Sequence, residues 1–361
     1  MVEKPALSIP AFLPVEERHH YTADFPFRVC QDFWFSDGNV ILSAGPFAFK
    51  VHRGQLERHA EIFQTMLSMP QPDNADSTIH LCDSPTDVYH LLRALYDGLY
   101  FRQPFVQDFP FLSSVLRLSC KYFICIPRRQ CLERLQSYFP TTLADWDRRE
   151  RMSLGPDGHY DPRREIPSPI HVINLARELN VGSVLPAAFY DLARYGTSKT
   201  ASGTEPLPRL DTTPVRLSHD DLVLTFRGRE TLQRSVARFL DAQVKNRAPA
   251  AGCTGGQACR DAFYFIALNT LRAVSGIAAG RDGDPLFTLG QMIDMLHHTE
   301  WVDGQYLRGL PMCRRCRQAF IPAVHAGRQE IWDQVPAWFG LESYDVLKAR
   351  DEELNERDMY P

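Results

Sequence analysis

The sequence predicts an α+β fold: a small sheet flanked by helices, followed by a mostly α-helical region. Three observations predict it. Between Trp34 and Leu67 the apolar spacing switches from every second residue to every third or fourth. From Ser84 to Phe139 helical faces follow the strands rather than alternate with them, which is the α+β order. From Ile170 onward only helical spacing recurs.

The elements follow in order. Residues 1–32 are broken by prolines and read as an N-terminal tail, with one short helical turn near Val15–His20. Trp34–Phe35 and Val40–Leu42 read as one strand interrupted by the turn signal Asp37-Gly38-Asn39. Phe47, Phe49 and Val51 alternate with Ala48 and Lys50, the period of a half-buried strand. Leu56, Ala60, Phe63 and Leu67 then share one face of a single helix. Pro70–Ser77 is a polar loop, and Thr78–Leu81 is a strand able to join the hairpin. Ser84 as N-cap, Pro85 at the first helical position and Asp87 at the positive end open the next helix, whose apolar face is Val88, Leu91, Leu92 and Leu95. Phe101–Pro110 reads as a link. A helix with Leu112, Val115 and Leu116 follows, and Ile126-Pro127 starts another that carries Leu132, Leu135 and Phe139.

In the second half, 141–169 is charged and Pro-rich and reads as a linker. Residues 170–340 form the helical region, with a mobile Ser/Thr/Pro-rich loop at 196–214. Its helices are a pair around Gly182-Ser183, a short helix His219–Phe226 separated by Gly228 from a longer one, Arg260–Ile277, a face on Leu289, Met292, Ile293 and Leu296, and Cys313–Gln334. Residues 341–361 are a charged, frayed C-terminal end.

The opening unit carries a resemblance. A hairpin, then Phe49-x-Val51-His52-Arg53, then a helix with Leu56 and Phe63-x-x-Met66-Leu67, resembles the start of a BTB/POZ domain, closest to the fungal-type set in which Asp37-Gly38-Asn39-Val40 is usual. The resemblance covers residues 33–140. It implies a protein-interaction module and scaffold, with other proteins as partners, itself as a homodimer among them, and Asp37 near the subunit contact. Asp37, His52, Leu56, Phe63 and Met66 are the signature residues. The resemblance also implies the alternative of a substrate adaptor on a cullin-type ubiquitin ligase. The adaptors' hydrophobic-x-Glu motif departs here, where the loop reads Met69-Pro70-Gln71.

Bulk properties exclude other classes. Hydrophobic content of 44% in 361 residues supports a large core in two or three domains. A formal charge of −4 gives no field to draw in nucleic acid or anionic membrane, so neither is expected as a partner. No apolar run reaches the ~20 residues of a membrane span, and the N-terminus lacks a signal pattern, which places the protein in the cytoplasm or nucleus. There, nine cysteines are thiols or metal ligands rather than a disulfide framework.

Cys253, Cys259, Cys313 and Cys316 are the sharpest chemical signal. Two closely spaced pairs could hold Zn²⁺ through four thiolates, since short spacings let both sulfurs of a pair turn to one metal. Zinc would be the cofactor of a structural or redox function, with His297, His298 and His325 as spare ligands. The competing reading has no cofactor: Cys253 and Cys259 are loop thiols, and Cys313 and Cys316 share a core-facing helical side. The spacings are unlike common zinc modules, which favours that reading. Cys120, Cys125 and Cys131 read as core residues, and His52 as a hydrogen-bonding residue at a strand–helix junction. Asp282-Gly283-Asp284 lacks the further acids of a calcium loop and reads as a turn. Arg314, Arg315 and Arg317 read as a solvated helix start. No nucleophile–base pair or phosphate loop is present, so no catalytic residue is assigned and the chain is not expected to be an enzyme.

Overall fold

A computed structural model describes residues 27–69, 78–101, 105–156, 159–207, 213–274, 284–300 and 306–356. The turn expected at Val15–His20, the loop at 70–77 and most of the Asp282–Asp284 turn lie outside them.

Four strands form one sheet: β1 (Arg28–Trp34), β2 (Val40–Ala44), β3 (Phe47–Val51) and β4 (Thr78–Leu81), in the spatial order β1-β3-β2-β4. β2 and β3 pair antiparallel across Gly45-Pro46, where Gly45 supplies the φ of +49° that a tight hairpin needs. β4 adds parallel to β2, as its position allowed. The stretch read as one interrupted strand is two strands with β3 between them. Both sides of its turn bond the end of β3: Phe35 N–H to Lys50 O and Asn39 N–H to Val51 O, each at 3.0 Å. The chain therefore straddles β3 instead of continuing.

The helices α1 (Arg53–His59), α2 (Glu61–Ser68), α3 (Pro85–Tyr96), α4 (Phe105–Lys121) and α5 (Cys125–Tyr138) follow. The single helix expected over Leu56–Leu67 breaks at Ala60, which is extended (φ −133°, ψ 111°). The break re-aims α2 so that Phe63 stacks on Tyr122, just after α4, at 4.7 Å. Asp87 lies in the first turn of α3, is buried, and also accepts from Ser114 Oγ at 2.5 Å and Arg117 Nη1 at 3.1 Å. α4 begins before the expected link ends and runs through Pro110. One core lies between the sheet and these helices, with Leu42, Phe49, Val51, Leu56, Phe63 and Leu92 at its centre.

The stretch expected to be a linker is folded. Thr142 accepts the Asp145 N–H and caps α6 (Leu143–Met152), and a 3-10 turn spans Pro162–Arg164. Trp146 and Arg149 of α6 are among the most buried side chains of the chain. The charges that mark a linker in sequence are spent on one another: Arg149 and Arg163 both reach Asp191.

The remaining helices are α7 (Pro169–Leu179), α8 (Leu185–Ala193), α9 (Thr197–Ser202), α10 (His219–Gln243), α11 (Gln257–Val274), α12 (Pro285–His297), α13 (Arg314–Trp338) and α14 (Tyr344–Glu356). A two-stranded sheet of β5 (His298–Glu300) and β6 (Tyr306–Arg308) joins α12 to α13. The loop expected to be mobile at 196–214 holds α9 and a Thr204–Val215 bridge; 208–212 lie outside the described residues. Gly228 does not divide α10, which runs through it unbroken. The end expected to fray contains α14, whose buried Asp351 accepts the N–H groups of Gly182 and Ser183 at 2.9 Å each. Residues of α4–α8 and α10–α13 share a second, larger core. Among the described residues no helix is long and apolar enough to cross a membrane.

Candidate metal centre

The loop between α10 and α11 is the start of the site. Cys253 lies in it, with its N–H on Ala250 O at 2.9 Å. Cys259 is buried in the first turn of α11, Cys313 is the N-cap of α13, and Cys316 is buried in the first turn of α13. The pairs Cys253/Cys259 and Cys313/Cys316 are far apart in sequence, but α11, α12 and the β5–β6 hairpin fold back and bring them together. The four sulfurs lie within 4.8 Å of one another.

The spacing is that of ligands around a common centre. Cys253 Sγ and Cys313 Sγ are 3.7 Å apart. A disulfide needs about 2.05 Å, whereas a tetrahedron with Zn–S bonds of about 2.3 Å has edges of about 3.8 Å. Backbone donors already point at the sulfurs. Ala250 N–H donates to Cys316 Sγ at 3.3 Å, and Cys313 N–H to Cys259 Sγ at 3.2 Å. Such N–H···S bonds orient and stabilise thiolates in metal sites. The N–H groups of Cys316 and Thr254 pull the Cys313 thiol down to about 5, as a helix N-terminus does. Burial pushes Cys316 up to about 12 and raises Cys259.

The surroundings hold this geometry. Gly255 lets the loop approach Cys259, since a Cβ there would press on Sγ. Gly252 (φ +70°) carries the Arg315 guanidinium against its backbone, where any side chain would overlap it. Arg317 donates to Leu310 O and Met312 O at 2.9 and 3.0 Å and fixes the approach to Cys313. Arg247, in the loop after α10, reaches Ala319 O at 2.8 Å and lies over the edge-packed rings of Phe263 and Phe320. Arg315 and Arg317 are thus parts of the frame, not only a solvated helix start.

Of the residues singled out in sequence, the four cysteines come together; His297 and His325 are not among the grouped ligands, and the side chain of His298 lies outside the described ones. The reading that divides the cysteines into loop thiols and core residues does not account for their convergence. Of the other three, Cys131 is fully buried and Cys120 and Cys125 are half-buried. His52 sits at the β3–α1 junction: Nε2 is 3.2 Å from Asp37 Oδ1, and its backbone N–H donates to Tyr96 Oη at 2.9 Å. His52 hydrogen bonding holds the exposed Asp37 carboxyl below its usual range. Leu56 and Phe63 are buried, and Met66 packs on the same core. Sequence reasoning missed Ala250, Thr254 and Arg247. The first two act through backbone groups, which leave no side-chain signal. A comparison with known protein-family models finds no match, and one with curated proteins finds no significant match.

Proposed function

We propose that the chain is a non-catalytic protein-interaction module whose helical region is pinned by a structural zinc ion. The observation that carries the metal reading is the convergence of four sulfurs within 4.8 Å of one another, one pair of them 3.7 Å apart, with backbone donors aimed at two of them. Four thiolates select zinc among common divalent ions and leave no open position for water or substrate, so the site is structural rather than catalytic. The ion would tie the loop after α10 to the first turns of α11 and α13. The interaction reading rests on the N-terminal unit. Its order of hairpin, two short helices, strand and three helices supports the BTB/POZ resemblance, and Phe49, Val51, Leu56 and Phe63 fill the core that this resemblance requires. Such a unit offers its surface to other proteins, a second copy among them.

Native mass spectrometry with metal analysis of the full chain tests both parts. The expected species is an assembly of two or more chains carrying one zinc per chain. Cys313→Ser is expected to abolish zinc, and Asp37→Ala to weaken self-association while zinc stays bound. Metal-free protein with a Cys253–Cys313 disulfide would overturn the zinc centre. A monomer at every concentration would overturn self-association.

A further inference from the structure

α11 is apolar on both sides. Its inner face carries Cys259, Ala262, Phe263, Ile266 and Thr270 into the core. Its outer face carries Tyr264, Phe265, Leu268 and Leu271, which are 71%, 40%, 45% and 54% exposed. A surface helix normally turns charged or small polar residues outward. Here Tyr264, Leu268 and Leu271 recur at i, i+4 and i+7, the spacing of a seam between two packed helices. The ends of the seam are charged. Asp261 lies before it and Arg272 after it, three turns apart on the same flank. On an antiparallel pair of identical helices, same-flank residues face each other. A second α11 therefore sets Asp261 of one copy beside Arg272 of the other, twice, and brings Leu268 against Phe265 at the centre. A parallel pairing would bring the like residues of this flank to the same level.

We infer that the outer face of α11 is a self-association surface, where two copies of this chain pair antiparallel across a two-fold axis. The interface is isologous, so it closes at two subunits. It lies outside the N-terminal unit and does not depend on the BTB/POZ reading. The zinc centre bears on it because Cys259 anchors the first turn of the same helix.

The experiment is sedimentation velocity of the full chain over a concentration series, in an Asp37→Ala background so that self-association of the N-terminal unit does not mask the result. Three variants are compared with this reference: Leu268→Glu, Asp261→Arg, and Asp261→Arg combined with Arg272→Asp. All the substituted side chains face solvent, so circular dichroism is expected to stay unchanged. Leu268→Glu is expected to weaken dimerisation about tenfold or more. The single charge reversal is expected to weaken it, and the double reversal to restore it. That rescue is particular to antiparallel pairing. A monomeric reference at every concentration, a dimer indifferent to Leu268→Glu, or a double reversal no better than the single one would each overturn the proposal.

Discussion

Three guanidinium groups converge on one carboxylate at the heart of the larger core. Arg149 Nη2 and Arg163 Nη2 reach Asp191 Oδ2 at 2.5 and 2.6 Å, and Arg194 Nη2 reaches Oδ1 at 2.6 Å. Arg194 also bonds Glu150 and Asp284 at 2.8 Å each, and Tyr190 donates to Asp284 at 2.7 Å. Trp146 lies beneath both Arg149 and Arg194. Burial alone would raise the Asp191 pKa, but the three cations outweigh it and hold the group well below the carboxylate range. Removing one partner of a buried set leaves charge uncompensated, at a cost of about 3–5 kcal/mol. Asp191→Asn is therefore expected to lower stability in urea unfolding by about that much. Arg148→Ala, which breaks an exposed pair with Asp145, is expected to cost under about 1 kcal/mol. The pH dependence has a definite sign. A depressed folded pKa gives stability that is present above the unfolded value, about 3.9, and is lost as pH falls through the folded one. The Asp191→Asn difference should thus be equal at pH 7 and pH 5, and a difference that halves at pH 5 would contradict the assignment. None of this was legible in sequence. Arg149 and Arg163 stand in a charged, Pro-rich stretch, and residue type alone does not say which charges fold inward to meet one another.

The helices were legible where apolar residues at helical spacing formed one inward face, as in α7. Reading failed where a residue type with two uses was taken for its commoner one. Gly228 was read as a separator, yet α10 runs through it from His219 to Gln243. The ring of Phe339, stacked on Phe189 at 5.3 Å, occupies the space a Cβ would fill. The glycine is there for close approach of a ring, not for a turn. Gly228→Ala should therefore overpack the site and lower stability by about 1–3 kcal/mol. Gly290 in α12 is the contrast: nothing lies within 4 Å of a Cβ built there. Gly290→Ala should raise stability by about 0.5–1 kcal/mol through helix propensity alone. Thermal unfolding of the two variants should show opposite shifts, and two shifts of the same sign would refute the space argument. Ala60 shows the converse case, where a helical pattern is interrupted with no glycine or proline to announce it. The break follows from tertiary packing of Phe63 on Tyr122, which local spacing does not encode.

Across the whole molecule the two cores are not separate bodies. α4 contributes Leu118 to the smaller core and Phe105, Phe109, Leu112, Val115 and Leu116 to the larger one. Arg117 extends the link, reaching Asp87 of α3 at 3.1 Å and Glu178 of α7 at 2.5 Å. A 17-residue helix shared in this way couples the stability of its two ends. The four cysteines of the candidate metal centre belong to the larger core, where Cys259 and Cys316 pack with its buried residues. The binding energy of an ion that holds only the folded chain adds to folding stability. Through α4, loss of that ion should be felt in the N-terminal sheet as well. Hydrogen exchange of the zinc-loaded and chelated chain measures this directly. The slowest amides of β3 and of α13 are expected to exchange by global opening, so chelation should speed both by the same factor. Faster exchange confined to α11 and α13, with β3 unchanged, would mean that the cores open independently and that the shared helix does not transmit the loss. The order of elements in the sequence could suggest two units, but not this coupling. The same apolar repeat on α4 serves both cores, and nothing in its spacing divides one from the other.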